Sequence, residues 1–197
     1  MTKRTRHKLQ FLIAAGLLSV TASAYTAQSI EEQINEAVLA APDPMRADAT
    51  VVVYDRMGKR SLLRAGTNSL VCEPDGPQPG FRVQCYHDSW QPAMDRMSAW
   101  FAEGKTLEEA MVLYEAARKA GEFEDFTPGA IQYLLAGSDR ENAKLSLTIR
   151  LPYATPESVG IPDEERAEGA WLMWAGTPGA HIMVDSVRRG PEKYPGQ

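Results

Sequence analysis

Lys144-Leu145-Ser146-Leu147-Thr148-Ile149-Arg150-Leu151 alternates apolar and polar side chains without a break. Side chains of an extended chain point to opposite faces in turn, so this run predicts a strand with one wet face. A parallel strand covered on both sides would read as a continuous apolar run, so the pattern favours an antiparallel sheet. Working outward, Ile131 to Leu135 reads as a preceding strand, and the β-branched run Thr50 to Tyr54 opens a series continued by Ser61 to Arg64, Ser69 to Cys72 and Phe81 to Tyr86. The turn residues between the first three predict a meander, with the fourth strand beside the third.

Between these strand groups the period becomes helical. Ala93, Met97, Trp100 and Phe101 line one face after Pro92, and Gly104 stops the run. Thr106-Leu107-Glu108-Glu109 is a capping box that opens a second helix with the stripe Leu107, Met111, Tyr114 and Ala117, ended by Gly121. Ser29-Ile30-Glu31-Glu32 is another capping box, opening a helix that runs to about Ala41 before Pro42 and Pro44. Strands, two helices, then strands again is the order of an α+β domain: an antiparallel sheet of six or seven strands packed on a helical hairpin. Gly104-Lys105-Thr106 mimics the end of a phosphate-binding loop. The first glycine such a loop needs is Ala99, and the segment joins two helices, so it reads as a helix stop followed by an N-cap.

Residues 1–24 have the layout of a secretory signal: basic Lys3, Arg4, Arg6 and Lys8, an apolar run from Phe11 to Val20, and the small-residue site Ala22-Ser23-Ala24. Residues 25–49 then form an N-terminal helix and linker, 50–186 a single α+β domain, and 187–197 a flexible tail. The apolar run is shorter than the ~20 residues that span a bilayer, so cleavage and a periplasmic or secreted product are expected, with no stable membrane insertion afterwards. Cleavage removes four of the 21 Lys and Arg and none of the 26 Asp and Glu, leaving 17 against 26 and a formal charge of −9. That acidity disfavours nucleic acid and anionic lipid as partners. Cys72 and Cys85 bracket a Pro- and Gly-rich segment, and in an oxidising compartment they are expected to pair, for about 3 kcal/mol.

The C-terminal hairpin is apolar on both faces. With Gly176-Thr177-Pro178-Gly179 as its loop, Trp174 faces His181, so that Leu172, Trp174, His181 and Met183 share one face and Trp171, Met173, Ile182 and Val184 the other. The first face is a candidate floor for a small ligand: an aromatic platform beside one polar group. Such a hairpin is either covered twice or offers one face to a ligand. The block Met173-Trp174-Ala175-Gly176-Thr177-Pro178-Gly179-Ala180-His181-Ile182-Met183, with Arg64-Ala65-Gly66-Thr67-Asn68 leading to Cys72, resembles a group of uncharacterised secreted bacterial proteins. The resemblance implies an exported, disulfide-bearing domain and carries over no catalytic residue.

Catalytic signals are sparse. His7 leaves with the signal, so imidazole chemistry rests on His87 and His181, and neither His-Glu-x-x-His nor Gly-x-Ser-x-Gly occurs. His87-Asp88 follows the fourth strand, where Asp88 or Ser89 is placed to cap the next helix. If folding joined His87 and Asp88 to His181, they would suit a small hydrolase or metal-dependent enzyme. The acidic runs Glu122 to Asp125 and Asp163 to Glu165 lack the spacing of a calcium loop and read as solvated segments. No metal or cofactor is expected. The sequence therefore points to an exported domain that binds a small molecule or an envelope protein, with the enzyme and a purely structural envelope role as alternatives.

Overall fold

The computed structural model describes residues 28–122, 124, 126–166 and 169–185. The expected signal at 1–24 and tail at 187–197 lie outside them. The helices are α1 (Ile30–Ala37), α2 (Asp43–Arg46), α3 (Gln91–Ala102), α4 (Leu107–Lys119) and α5 (Pro156–Val159). The strands are β1 (Thr50–Tyr54), β2 (Arg60–Arg64), β3 (Leu70–Glu73), β4 (Phe81–His87), β5 (Ile131–Gly137), β6 (Lys144–Arg150), β7 (Trp171–Met173) and β8 (His181–Asp185). They form one eight-stranded sheet in the order β2-β1-β3-β4-β5-β6-β8-β7, so the α+β reading holds with more strands than expected. No helix among the described residues is long and apolar enough to cross a membrane.

Both capping boxes form. Glu32 N donates to Ser29 Oγ and Ser29 N to Glu32 Oε2, while Glu109 N donates to Thr106 Oγ1 and Thr106 N to Glu109 Oε2. Gly104 ends the α3 run at φ +83°, in the left-handed region that lets glycine stop a helix. Two boundaries differ. The first helix tightens into a 3-10 turn over Val38–Ala40, and Pro44 sits in the first turn of α2, where its missing N–H has no cost. Neither Asp88 nor Ser89 caps α3, which follows directly on a 3-10 turn over Asp88–Trp90 and has no side-chain cap of its own; the turn is capped by His87, whose Nδ1 accepts from Ser89 N at 3.2 Å.

The expected meander is corrected. β2 pairs antiparallel with β1, but β3 lies on the other side of β1 and runs parallel to it, with Thr50 beside Val71 and Val51 beside Cys72. The connection hooks over the segment before β1. Thr67 N and Asn68 N both donate to Asp48 O, at 2.8 and 3.0 Å, and Asn68 Nδ2 donates to Met45 O. Arg64 Nη2 reaches Arg46 O and Ala49 O at 2.6 and 2.9 Å. Gly66 is pressed so closely on Asp48–Thr50 that a Cβ there would lie 2.3 Å from Thr50 N.

The sheet is covered on both faces. On one, Ala37, Val38, Ala40 and Ala41 of the first helical segment pack on Val51, Leu70, Cys72, Phe81, Val83 and Cys85. Cys72 and Cys85 stand directly opposite each other on β3 and β4, wholly buried and joined by a disulfide as expected. On the other face, α3 and α4 cover Val52, Val71, Tyr86, Trp90 and Ala130, with Ala93, Met111 and Tyr114 extending that core toward Phe126 and Trp174.

Candidate aromatic site at the β7–β8 hairpin

The hairpin register is one residue away from the expected one. Met173, not Trp174, is opposite His181, and Leu172 and Trp171 are opposite Ile182 and Met183. Because side chains alternate with a period of two, this slip exchanges partners between faces. Trp171, Met173, His181 and Met183 share the face toward α3 and α4. Leu172 turns to the opposite face, fully buried among Ala154, Ala180, Leu151, Val159 and Ile161. Of the four residues expected on one floor, Leu172 is therefore removed, while His181, Met183 and Trp174 remain together with Trp171 and Met173.

The slip has a local cause. Trp174 adopts φ +57°, which ends β7 at Met173. Thr177 then folds the chain back, its N and Oγ1 both donating to Trp174 O at 3.2 and 2.7 Å. A second segment locks this loop: Leu151 N donates to Ala180 O, Tyr153 N to Thr177 O and Gly176 N to Ala154 O. Tyr153 in that segment has φ +64°. Aromatic residues rarely adopt this region, at a cost of about 1 kcal/mol or more each, and such strain concentrates where structure serves a site. These are the two positive-φ residues other than glycine among the described ones.

Around the loop the side chains form a graded aromatic cluster. The His181 ring, only 5% exposed, meets Trp174 edge to face at 5.1 Å between centroids. His181 Nδ1 lies 2.7 Å from Gly179 O, and Arg150 Nη1 donates to the same carbonyl at 3.1 Å. Arg150, directly opposite His181 on β6, places its guanidinium 4.4 Å from the Trp90 ring centroid and 4.5 Å from that of Phe126. Phe126 stacks in turn on Tyr114. Beside Phe126 an open depression of about 430 Å³ is lined by Glu124, Phe126, Thr127, Pro128, Pro152 and Tyr153. Tyr153 is half exposed, and the Arg118 guanidinium lies 5.9 Å from its ring centroid.

His87 and Asp88 do not join this cluster. The pairing sets Tyr86, Gln132, Thr148 and Met183 in one row toward α3 and α4, so His87, next to Tyr86 and opposite Leu70, belongs to the other face. His87 Nδ1 is 2.9 Å from Ser89 Oγ and 3.2 Å from Asp88 Oδ1, a local cap at the strand end. Among the described residues, no three His, Cys, Asp or Glu are grouped to hold a metal ion.

A polar network that the sequence reading missed lies beneath α3. Tyr86 OH donates to Glu73 Oε1 at 2.6 Å and Gln84 Nε2 to Glu73 Oε2 at 2.8 Å, with Gln132 behind Gln84. Nearby, Gln91 Nε2 donates to Tyr54 OH, which donates to Asp95 Oδ1, and Arg60 Nε pairs with the same oxygen at 3.0 Å. Burial pushes the Glu73 carboxyl above the usual carboxylate range against the lowering effect of Tyr86 and Gln84. Burial, and then the Glu73 charge, raise the Tyr54 and Tyr86 phenols. The signal was present: once Cys72 and Cys85 face one side, Glu73, Gln84 and Tyr86 must face the other. Comparisons of the chain with family models, curated proteins and solved structures give no match, so the site rests on its own geometry.

Proposed function

We propose that this chain is an exported ligand-binding domain whose site is the Trp174–His181 face and the depression beside it. The observation that carries this reading is the pair of strained aromatic backbones, Tyr153 and Trp174, in two loops hydrogen-bonded to each other, of which Tyr153 lines that depression. The loop's own hydrogen bonds hold both residues in this conformation, and backbone strain of this kind clusters at ligand sites, where it gives a rigid aromatic frame. The open depression presents Tyr153, Phe126 and two prolines as apolar walls, with Thr127 and Glu124 supplying polar atoms. Export is supported by the N-terminal pattern and by a buried disulfide, which persists in oxidising compartments. The enzyme alternative loses support because the register sets His87 and His181 on opposite faces.

Native mass spectrometry on chain purified from the export compartment tests this reading, paired with thermal shift against a panel of sugars, amino acids and aromatic amines. The expected result is a retained or added small molecule that raises Tm, with both effects lost in Tyr153→Ala. A bare chain that no member of the panel stabilises overturns it.

A further inference from the structure

We infer that Glu73 is a proton-operated latch: protonation of its carboxyl ties the N-terminus of α3 to the sheet through Tyr86 and Gln91, and loss of that proton releases the tie. The groups stand in one row. Tyr86 OH donates to Glu73 Oε1 at 2.6 Å and lies 3.5 Å from Gln91 Oε1, the outer limit of a bond. Gln91 Nε2 donates to Tyr54 OH at 2.7 Å and to Asp95 Oδ1 at 2.9 Å. Tyr54 OH donates to the same Asp95 oxygen, which Arg60 Nε also meets. Gln91 opens α3 and Asp95 lies about one turn on, so the row joins β1, β3 and β4 to the start of that helix.

The proton inventory gives the latch its direction, because a phenol has one proton to donate. With Glu73 ionised, Tyr86 gives that proton to Glu73 Oε1, Gln84 Nε2 donates to Glu73 Oε2 at 2.8 Å, and Gln91 Oε1 receives nothing firm from Tyr86. With Glu73 protonated at Oε1, the acid O–H donates to the Tyr86 oxygen and the Tyr86 proton turns to Gln91 Oε1. Tyr54 OH, also within bonding reach of Tyr86, already accepts from Gln91 Nε2, which leaves Gln91 Oε1 as the acceptor. One proton taken from solvent thus adds one hydrogen bond between the sheet and α3, and no other group changes its charge. Glu73 faces Tyr54 on β1, Arg82 and Tyr86 on β4, and Asp95 on α3, whose charge Arg60 on β2 pairs. Burial first, and the Asp95 charge with it, favour the neutral carboxyl against the Tyr86 and Gln84 bonds and the Arg82 charge. Trp90, next to Gln91, stacks on Tyr86 at 6.1 Å and meets Phe126 at 5.2 Å. The latch therefore reaches a wall of the depression, and its control of binding there rests on reading that depression as a ligand site.

Hydrogen–deuterium exchange on the purified chain, with Cys72–Cys85 intact and no ligand added, tests the latch. Rates from pH 4.5 to about 8 are converted to protection factors, which divide out the intrinsic pH dependence of amide exchange. Protection of the α3 amides should fall about tenfold or more along a one-proton curve and stay below that of β5 and β6, the mark of α3 opening by itself. Glu73→Gln, whose amide N–H takes the place of the acid proton on Tyr86, should hold α3 protection constant across the range. Gln91→Met removes the acceptor and leaves Glu73 and Tyr86 in place; it should bring α3 at pH 4.5 down to the wild-type level near pH 8 and flatten its curve. Gln91→Ala should do the same, which keeps the test decisive where the methionine variant fails to fold. Wild-type α3 protection that ignores pH, a Glu73→Gln or Gln91 variant with the wild-type curve, or α3 and β5 amides exchanging at one common rate would each overturn the inference. A chain that binds nothing in the panel but whose α3 follows the proton loses the binding reading and keeps the latch.

Discussion

Trp174 and His181 meet edge to face, their ring centroids 5.1 Å apart and their planes at 88°, although they are not cross-strand partners. The contact exists because Trp174 leaves the strand in a left-handed conformation and its ring returns over the residue that Met173 faces. The loop that imposes this conformation therefore holds the ring in place, and the site and the strain are one feature.

Stability and binding should separate at Tyr153. Its side chain is half exposed and its φ of +64° suits glycine, so Tyr153→Gly exchanges relief of about 1 kcal/mol of strain for greater unfolded-state freedom. Calorimetry should show Tm within a few degrees of wild type while the ligand-induced shift disappears. A large fall in Tm would mean that Tyr153 is a packing residue.

The two histidines should behave differently. His181→Ala removes a buried hydrogen bond and an aromatic contact, so urea unfolding should show a loss of about 2–3 kcal/mol. His87→Ala removes a partly exposed cap to Ser89 and should cost no more than about 1 kcal/mol. Equal losses would contradict the burial difference between them.

Glu73 makes a pH signature. Its folded carboxyl titrates above the ordinary value of 4.5, so folding takes up a proton between that value and the raised one. Stability from this group is present below 4.5 and is lost as pH rises through the folded value. Glu32 and Glu109, lowered by hydrogen bonds to their N-cap residues, act the other way: their contribution is lost as pH falls below 4.5. In Tm against pH, Glu73→Gln should flatten the decline above 4.5 and leave the acid limb unchanged. Parallel curves for the two proteins would remove Glu73 as its source.

The crossover from β2 to β3 depends on Gly66. A Cβ 2.3 Å from Thr50 N and 2.4 Å from Ala49 C and Asp48 O meets backbone that the hook's hydrogen bonds hold in place, so Gly66→Ala should cost about 3 kcal/mol or more, read by urea unfolding. Replacing both Cys72 and Cys85 by Ala should cost a similar amount through loop entropy and lost packing. A neutral Gly66→Ala would show that the hook can move.

Much of the architecture was legible along the chain. Capping boxes at Ser29 and Thr106 depend on residues three apart, the β6 alternation on neighbours two apart, and the disulfide on there being two cysteines; short-range chemistry decides each of these. The sequence by itself therefore determined the three longer helices, the main strands, the α+β class and the Cys72–Cys85 pair, while the four-residue helices α2 and α5 carry too little pattern to be read. Only the tertiary structure decided which strand neighbours which, which face Leu172 takes, and that His87 and His181 lie apart while Glu73 and Tyr86 meet. Those outcomes depend on contacts between distant segments: the Arg64–Asn68 hook on Asp48, and the Leu151–Ala154 bonds that hold Trp174 at positive φ. A period-two pattern reads equally well in either register until such a contact chooses one.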